Sequence, residues 1–296
     1  MLPYYYSYSE YMTERFGGKV YKLSLDGGMT CPNRDGTLST GGCIFCSEGG
    51  SGDFSERHID DISLQIEQAK KQVKQKYTGN KFVAYFQSYT NTYADIAYLR
   101  KIFFDAINND SIVALSIGTR PDCLGDDVIK LLGELNKIKP VFVELGLQTI
   151  HEKTAELINR CYTLDVYDEA VKTLKSIGVN VVVHIILGLP QETRQMMLDT
   201  VDYVVKSGAD GIKLQLLHVL KNTRLEEIYL NGEFDVMSLD EYVSLVAECV
   251  RRIPNSIVIH RLTGDAPKRL LVAPLWSADK KTVLNAVNRE ITKREI

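Results

Sequence analysis

Three cysteines, Cys31, Cys43 and Cys46, fall within one stretch, Thr30-Cys31-Pro32-Asn33 followed by Gly41-Gly42-Cys43-Ile44-Phe45-Cys46. Cys43 and Cys46 form a Cys-x-x-Cys with an aromatic directly before the second thiol. Cys31 lies twelve positions upstream, across a run rich in Gly, Asn, Asp, Ser and Thr. Three thiolates on one loop suit an iron–sulfur cubane whose fourth iron stays free for another ligand. A structural zinc site is the bland alternative; it needs a fourth ligand, and His58 is the nearest histidine. A redox pair of thioredoxin type should open a helix after a strand, and it leaves Cys31 without a role. Position, spacing and the adjacent aromatic favour the catalytic cluster. Cys123, Cys161 and Cys249 are dispersed and read as small buried hydrophobes.

Such a loop needs a frame to carry it. It follows Val20-Tyr21-Lys22-Leu23-Ser24-Leu25, an alternating run that reads as a strand and ends in Asp26-Gly27-Gly28. Further strand-like runs lie at 82–86, 112–117, 141–145, 179–187, 211–217 and 257–259. Amphipathic stretches alternate with them at about 61–77, 94–108, 125–136, 151–159, 166–177, 193–207 and 239–252. Asp165 and Asp240 stand where helix N-caps are expected, and Gly178 and Gly208 where helices should stop. Repeated strand–helix–strand units predict a parallel sheet with right-handed crossovers. Six or seven units fit a partial or complete β/α barrel, with a doubly wound open sheet as the alternative. Neither a linker nor an internal repeat breaks the pattern. Residues 1–296 therefore read as one domain, with a core at about 18–260 and a C-terminal extension at about 261–296.

Composition limits the function classes. The chain has 296 residues, 45% hydrophobic and 25% charged, enough for one substantial core. Six cysteines in that length do not make a disulfide scaffold. The start, Met1-Leu2-Pro3-Tyr4-Tyr5-Tyr6, lacks the features of a signal peptide, and no apolar segment is long enough to span a bilayer. A cytoplasmic enzyme that does not engage membranes is expected. The net charge of −3 argues against a strongly basic nucleic-acid binder, yet from Arg261 onward eight Lys/Arg stand against four Asp/Glu. Lys70-Lys71-x-x-Lys74-x-Lys76 is a second basic cluster, of the kind a solvated helix face explains.

In a barrel, chemistry gathers at the C-terminal ends of the strands. Those ends are polar here: Gln87 to Tyr93, Gly118-Thr119-Arg120-Pro121-Asp122, Glu144-Leu145-Gly146-Leu147-Gln148-Thr149, His184 to Thr193, and Lys213 to His218. Taken in order with the cysteines, these motifs make the chain similar to the radical S-adenosylmethionine (SAM) superfamily, over roughly residues 18–260. Within it the chain most resembles proteins related to the Elongator catalytic subunit and the oxygen-independent coproporphyrinogen oxidase. Glu-Leu-Gly-Leu-Gln-Thr resembles the group's fourth-strand motif, Gly-Leu-Pro-Gln-Glu-Thr its fifth-strand turn, and Arg120-Pro121-Asp122 an Elongator-like Arg-Pro-Asp. The gap between Cys31 and Cys43 departs from the superfamily's commonest spacing, a lengthening that Elongator-like proteins share.

The resemblance implies a partial (β/α)6-type TIM barrel holding a 4Fe–4S cluster on Cys31, Cys43 and Cys46. The free iron would chelate SAM, and one-electron reduction would release methionine and a 5′-deoxyadenosyl radical that abstracts hydrogen from substrate. A small one-electron donor such as flavodoxin or ferredoxin would supply the electron. Phe45 would pack on adenine, Glu144 would accept from ribose hydroxyls, and Gln148 and Arg160 would meet the methionine end. Gly188 and Pro190 would let backbone approach adenine, or serve strand–helix packing alone. Asn91 and Thr92 stand where the second-strand motif binds the SAM amino group, although the usual Gly-Gly-Glu is absent.

Substrate-facing candidates are Tyr89, Arg120, Asp122, His184, Lys213, Gln215 and His218, with Arg120, Asp122, His184 and His218 as the catalytic set. Likeness to the Elongator branch implies a tRNA wobble-uridine side chain as substrate. A small metabolite is the alternative. Lys268, Arg269, Lys280 and Lys281 would meet phosphates, and the early tyrosines (Tyr4, Tyr5, Tyr6, Tyr8, Tyr11) would either stack bases or pack the open side of the barrel.

Overall fold

The computed structural model describes residues 4–50, 59–75, 77 and 79–293. His58, the candidate zinc ligand, and Lys76 of the basic cluster lie outside the described residues. Seven parallel strands form one curled sheet: β1 (Tyr21–Leu25), β2 (Phe82–Phe86), β3 (Ile112–Thr119), β4 (Val141–Gln148), β5 (Asn180–Leu187), β6 (Gly211–Leu216) and, after a two-residue strand β7 (Val219–Leu220), β8 (Val258–Arg261). Their spatial order is β1-β2-β3-β4-β5-β6-β8, so each strand pairs with its predecessor in the sheet. The architecture is the partial barrel expected, and the doubly wound alternative is set aside.

Helices cover the outside. They are α1 (Tyr8–Phe16), α2 (Ile62–Val73), α3 (Ile96–Ile107), α4 (Asp126–Asn136), α5 (Glu152–Leu157), α6 (Leu164–Ser176), α7 (Arg194–Lys206), α8 (Arg224–Leu230), α9 (Leu239–Arg252) and α10 (Lys280–Thr292). Each long one buries a single stripe, as Leu99, Ile102, Phe103, Ala106 and Ile107 do on α3. The N-caps differ from expectation. Thr163 and Ser238 occupy those positions, while Asp165 and Asp240 sit in the first turns, where carboxylates face the positive end of the helix. Ser238 and Glu241 complete a capping box, so Ser238→Ala should lower stability by about 1 kcal/mol in a denaturant titration. Gly178 and Gly208 follow α6 and α7 with φ of 73° and 85°, a left-handed conformation that favours glycine.

Both ends of the chain complete the barrel. Ser7 bridges to Ile259, and the Ile259 amide donates to the Tyr6 carbonyl at 2.9 Å, so the N-terminal segment extends the sheet beyond β8. Helix α1 then crosses below the strands, where Met12, 1% exposed, packs with Val83, Ala114, Phe142 and Val182. Tyr8 and Tyr11 pack onto the same cluster and Tyr5 onto the main core, the packing role allowed for the early tyrosines. The segment after β8 forms β9 (Leu271–Ala273), which pairs with β7, and α10, which lies on α9. No described helix is long and apolar enough to cross a membrane.

Candidate active site

Side chains alternate across a strand, so every second residue faces the barrel interior. From the floor upward these inward residues change character. The lowest layer, with Val83, Ala114, Phe142 and Val182, is apolar. The next is ionic: Lys22, Tyr85, Ser116, Glu144, His184 and Lys213, one from each of β1 to β6. Above it Ser24, Gln87, Gly118, Gly146, Ile186 and Gln215 line a cavity of about 910 Å3. Its mouth is formed by Cys31, Cys43, Phe45 and Cys46 together with Arg120 and Gln148.

The loop that carries the thiols is held from below and behind. The Asn33 amide donates to the Asn159 carbonyl at 2.6 Å and stands 3.7 Å from the Cys43 sulfur. The Ile44 amide donates to the Ile158 carbonyl, and Arg34 donates to the carbonyls of Cys46 and Ser47. A hydrogen bond from Cys43, aided by Arg34 and opposed by burial, holds the Cys46 thiol below its ordinary pKa. Among the described residues no three His, Cys, Asp or Glu side chains converge on a single metal ion. Cys31, Cys43 and Cys46 all line the one cavity, and three thiolates suit a cubane that leaves its fourth iron open. The donor set fits a 4Fe–4S cluster, which Cys31, Cys43 and Cys46 would hold.

Glu144 is the centre of the ionic layer and lines the cavity. Its Oε1 accepts from Lys22 Nζ at 2.7 Å and Ser116 Oγ at 2.6 Å; Oε2 accepts from His184 Nε2 at 2.8 Å and from Lys213. A carboxylate offers about four acceptor positions, and the protein fills all of them. Burial raises the Glu144 carboxyl, but Lys213 and Lys22 outweigh it and hold the group well below the carboxylate range. Burial also brings Lys213 down to about 7, against the pull of Glu144.

His184 completes the ionic layer. Gln215 Nε2 lies 3.0 Å from His184 Nδ1, which fixes the neutral ring with its proton on Nε2, aimed at Glu144. Burial, with Lys213 adding to it, brings the His184 pKa down to about 4, so the ring stays neutral at pH 7. His218 also lines the cavity and is lowered to about 4 by burial; its Nε2 has no protein partner.

Other expected residues divide into two groups. Phe45, Gln148, Arg120 and Tyr89 line the cavity as anticipated, Gln148 with a φ of 65° where β4 bulges against β5. Arg120 makes a two-pronged ion pair with Asp122, at 2.9 and 2.6 Å, and its guanidinium lies 5.3 Å from the Tyr162 ring centre. Arg160 lines the cavity too, 1% exposed and with its donors engaged by the protein: the Thr149 carbonyl at 2.6 Å, those of Leu147 and Tyr162, and Glu152. It clamps the turn after β4 and has no fork left for a ligand carboxylate. Asn91 and Thr92 are buried away from the cavity walls. The Asn91 amide donates to the Gly118 carbonyl, and Thr92 bonds to Thr119 and the Cys123 carbonyl. Gly188 and Pro190 also stand outside the walls. Gly188 has a φ of 92° and lies so close to Met237 that an added Cβ would sit 2.8 Å from its Cε, which leaves it the packing role.

Sequence reasoning missed Lys22, Tyr85, Ser116, Arg34 and Arg261. A signal for Lys22 existed: it occupies every-second-residue register with Ser24 in a strand whose other face is Leu23 and Leu25.

Comparisons with known proteins accord with this geometry. The family model described as "Radical SAM superfamily" matches residues 35–204, and the one described as "Radical_SAM C-terminal domain" matches 209–293. Protein YtqA of Bacillus subtilis (strain 168) is 46% identical over 290 residues, 98% of this chain and 90% of its own. A tRNA uridine(34) acetyltransferase of Methanocaldococcus jannaschii is 27% identical over 163 residues, 54% of this chain and 30% of its own. Among solved structures, Elp3 of Methanocaldococcus infernus superposes with a TM-score of 0.65 at 19% identity, covering 86% of this chain and 58% of that one, which shows a shared fold.

Proposed function

The chain belongs to the radical SAM superfamily, and on that premise we propose that it modifies the C5 side chain of a tRNA wobble uridine. A 4Fe–4S cluster on Cys31, Cys43 and Cys46 and bound SAM would supply a hydrogen-abstracting radical, with an electron from a flavodoxin- or ferredoxin-like donor. The observation that carries the radical chemistry is the ring of three thiols at the mouth of a closed-bottomed polar cavity. Water exclusion there protects a reactive intermediate. The uridine assignment draws on the M. jannaschii relative, whose name specifies tRNA uridine(34). Lys268, Arg269 and Lys281 are exposed beside the cavity and would meet backbone phosphates; Lys280 instead turns inward to Asp265 at 2.5 Å. The reaction would alter a side chain already installed, for example by removing a carboxymethyl group from its nitrogen. Hydrogen loss from the carbon next to nitrogen leaves a stabilised radical, return of one electron to the cluster would give the iminium, and its hydrolysis would release glyoxylate and the free amine.

Protein purified without oxygen and reduced should convert SAM to 5′-deoxyadenosine and methionine. Mass spectrometry of tRNA nucleosides from a deletion strain should show a wobble uridine arrested with its unprocessed side chain. Neutralising Lys268, Arg269 and Lys281 together should flatten the salt dependence of tRNA binding, by roughly two units of slope at about 0.7–0.9 per phosphate contact. An unchanged nucleoside profile would transfer the radical to a small metabolite.

A further inference from the structure

The cavity wall away from the thiols carries more positive charge than the protein neutralises. Lys22, Lys213, Arg261, Lys268 and Lys280 line it, against the two carboxylates Glu144 and Asp265. Glu144 already serves Lys22, Lys213 and His184 at once. Higher up, Asp265 serves both Lys280, at 2.5 Å, and Arg261, at 3.4 Å. Asp265 sits between β8 and β9 and is a third exposed, so it can withdraw at little cost. A wall with two shared counter-ions attracts a further anion, and a guanidinium beside an ammonium suits the two oxygens of a carboxylate or phosphate.

We propose that Arg261 and Lys280, with Lys22 and Lys213 alongside, form an oxyanion subsite that grips an anionic group of the substrate, with Asp265 as the counter-ion it displaces. The subsite would present the carbon next to that group to the cysteine mouth across the cavity. This deepens the reading above, on which the choice of a uridine probe rests: the carboxylate of an N-carboxymethyl substituent is the group it would hold there. Lys213 supplies an independent signature. Burial brings its pKa down to about 7, so the amine is only part-protonated at pH 7, and an anion arriving beside it draws a further proton onto it.

The test is isothermal titration of the anaerobic holoenzyme with 5-(carboxymethylaminomethyl)uridine, with 5-(methylaminomethyl)uridine, and with inorganic phosphate, in two buffers of different ionisation enthalpy. The carboxylate nucleoside should bind at least about tenfold tighter than its counterpart, the worth of one charged hydrogen bond, and should take up a proton. Arg261→Gln and Lys280→Ala should each remove most of that preference. Asp265→Asn should widen it by removing the competitor, which a merely structural role for Asp265 would not do. Equal affinity for the two nucleosides, or weaker carboxylate binding in Asp265→Asn, would overturn the subsite while leaving the uridine reading in place. If neither nucleoside binds but phosphate does, with the same ordering among the variants, the subsite holds and the uridine reading fails. If phosphate also fails to bind, the subsite is refuted.

Discussion

Replacing any one of Cys31, Cys43 or Cys46 with alanine should leave a protein that folds but retains no 4Fe–4S cluster and cleaves SAM at background level. The expectation follows from position: all three thiols face one cavity, and the loop around them is held by Asn33, Arg34 and the Ile44 amide independently of any metal. Loss of one thiolate removes an iron ligand that no nearby group replaces well. Cys161 is exposed, with its sulfur 3.2 Å from Asn159 Oδ1. Cys123 is raised to about 12, chiefly by burial and then by Asp122, so it is a poor thiolate. Cys123→Ala, Cys161→Ala and Cys249→Ala should therefore keep the brown colour. Iron and acid-labile sulfide assays with an absorbance spectrum measure this, and far-ultraviolet circular dichroism checks the fold. A colourless anaerobic wild type with stoichiometric zinc would end the radical reading.

Glu144→Gln should be the most destabilising single change in the barrel interior, by about 3–5 kcal/mol, because it leaves Lys22, Lys213 and His184 facing a neutral amide. In a chain this size that is a fall in Tm on the order of 6–10 °C. The double variant Glu144→Gln with Lys213→Met should recover part of the loss, since removing both members of a buried pair costs less than stranding one. The pH dependence has a definite sign. A carboxyl held low in the folded state contributes stability above its unfolded pKa and loses it as pH falls through the folded value. Wild type should thus lose more stability on acidification below the ordinary glutamate range than Glu144→Gln does. Lys213, depressed when folded, acts oppositely: its burial costs stability below about pH 7, and that cost is relieved as pH rises above it. Unchanged thermal stability in Glu144→Gln would refute the ionic layer.

Much of the frame was legible because strand and helix periods differ so clearly here. The expected run at 179–187 became β5 at Asn180–Leu187, and the stretch at 239–252 became α9 at Leu239–Arg252. Helix α1 was hidden because its one deeply buried residue is Met12, among tyrosines that suggest stacking as readily as packing. The site was half legible. Cys31, Cys43 and Cys46 announce themselves by type and spacing, Phe45 by standing beside the last thiol, and Gln148 only through the resemblance; all five line the cavity. A glutamate in an apolar strand announces only that something must neutralise it; its cations come from positions 22 and 213, and no local pattern links them. The partners of Arg160 were hidden for the same reason. Its carbonyl partners exist only once β4 turns back on itself.

Because each strand of the sheet pairs with the one before it, the barrel can be laid down in the order in which the ribosome delivers it. The thiols are present once residue 46 has emerged, but the Tyr6–Ile259 hydrogen bond and the wall of Arg261 and Lys280 must await the last part of the chain. At roughly 5–20 residues per second, that interval lasts on the order of ten to forty seconds. During it, a nascent chain carries a full set of iron ligands above an unsealed trough. Cluster delivery can therefore precede closure, and the compartment that confines a radical exists only once the segment through Lys280 has joined the wall.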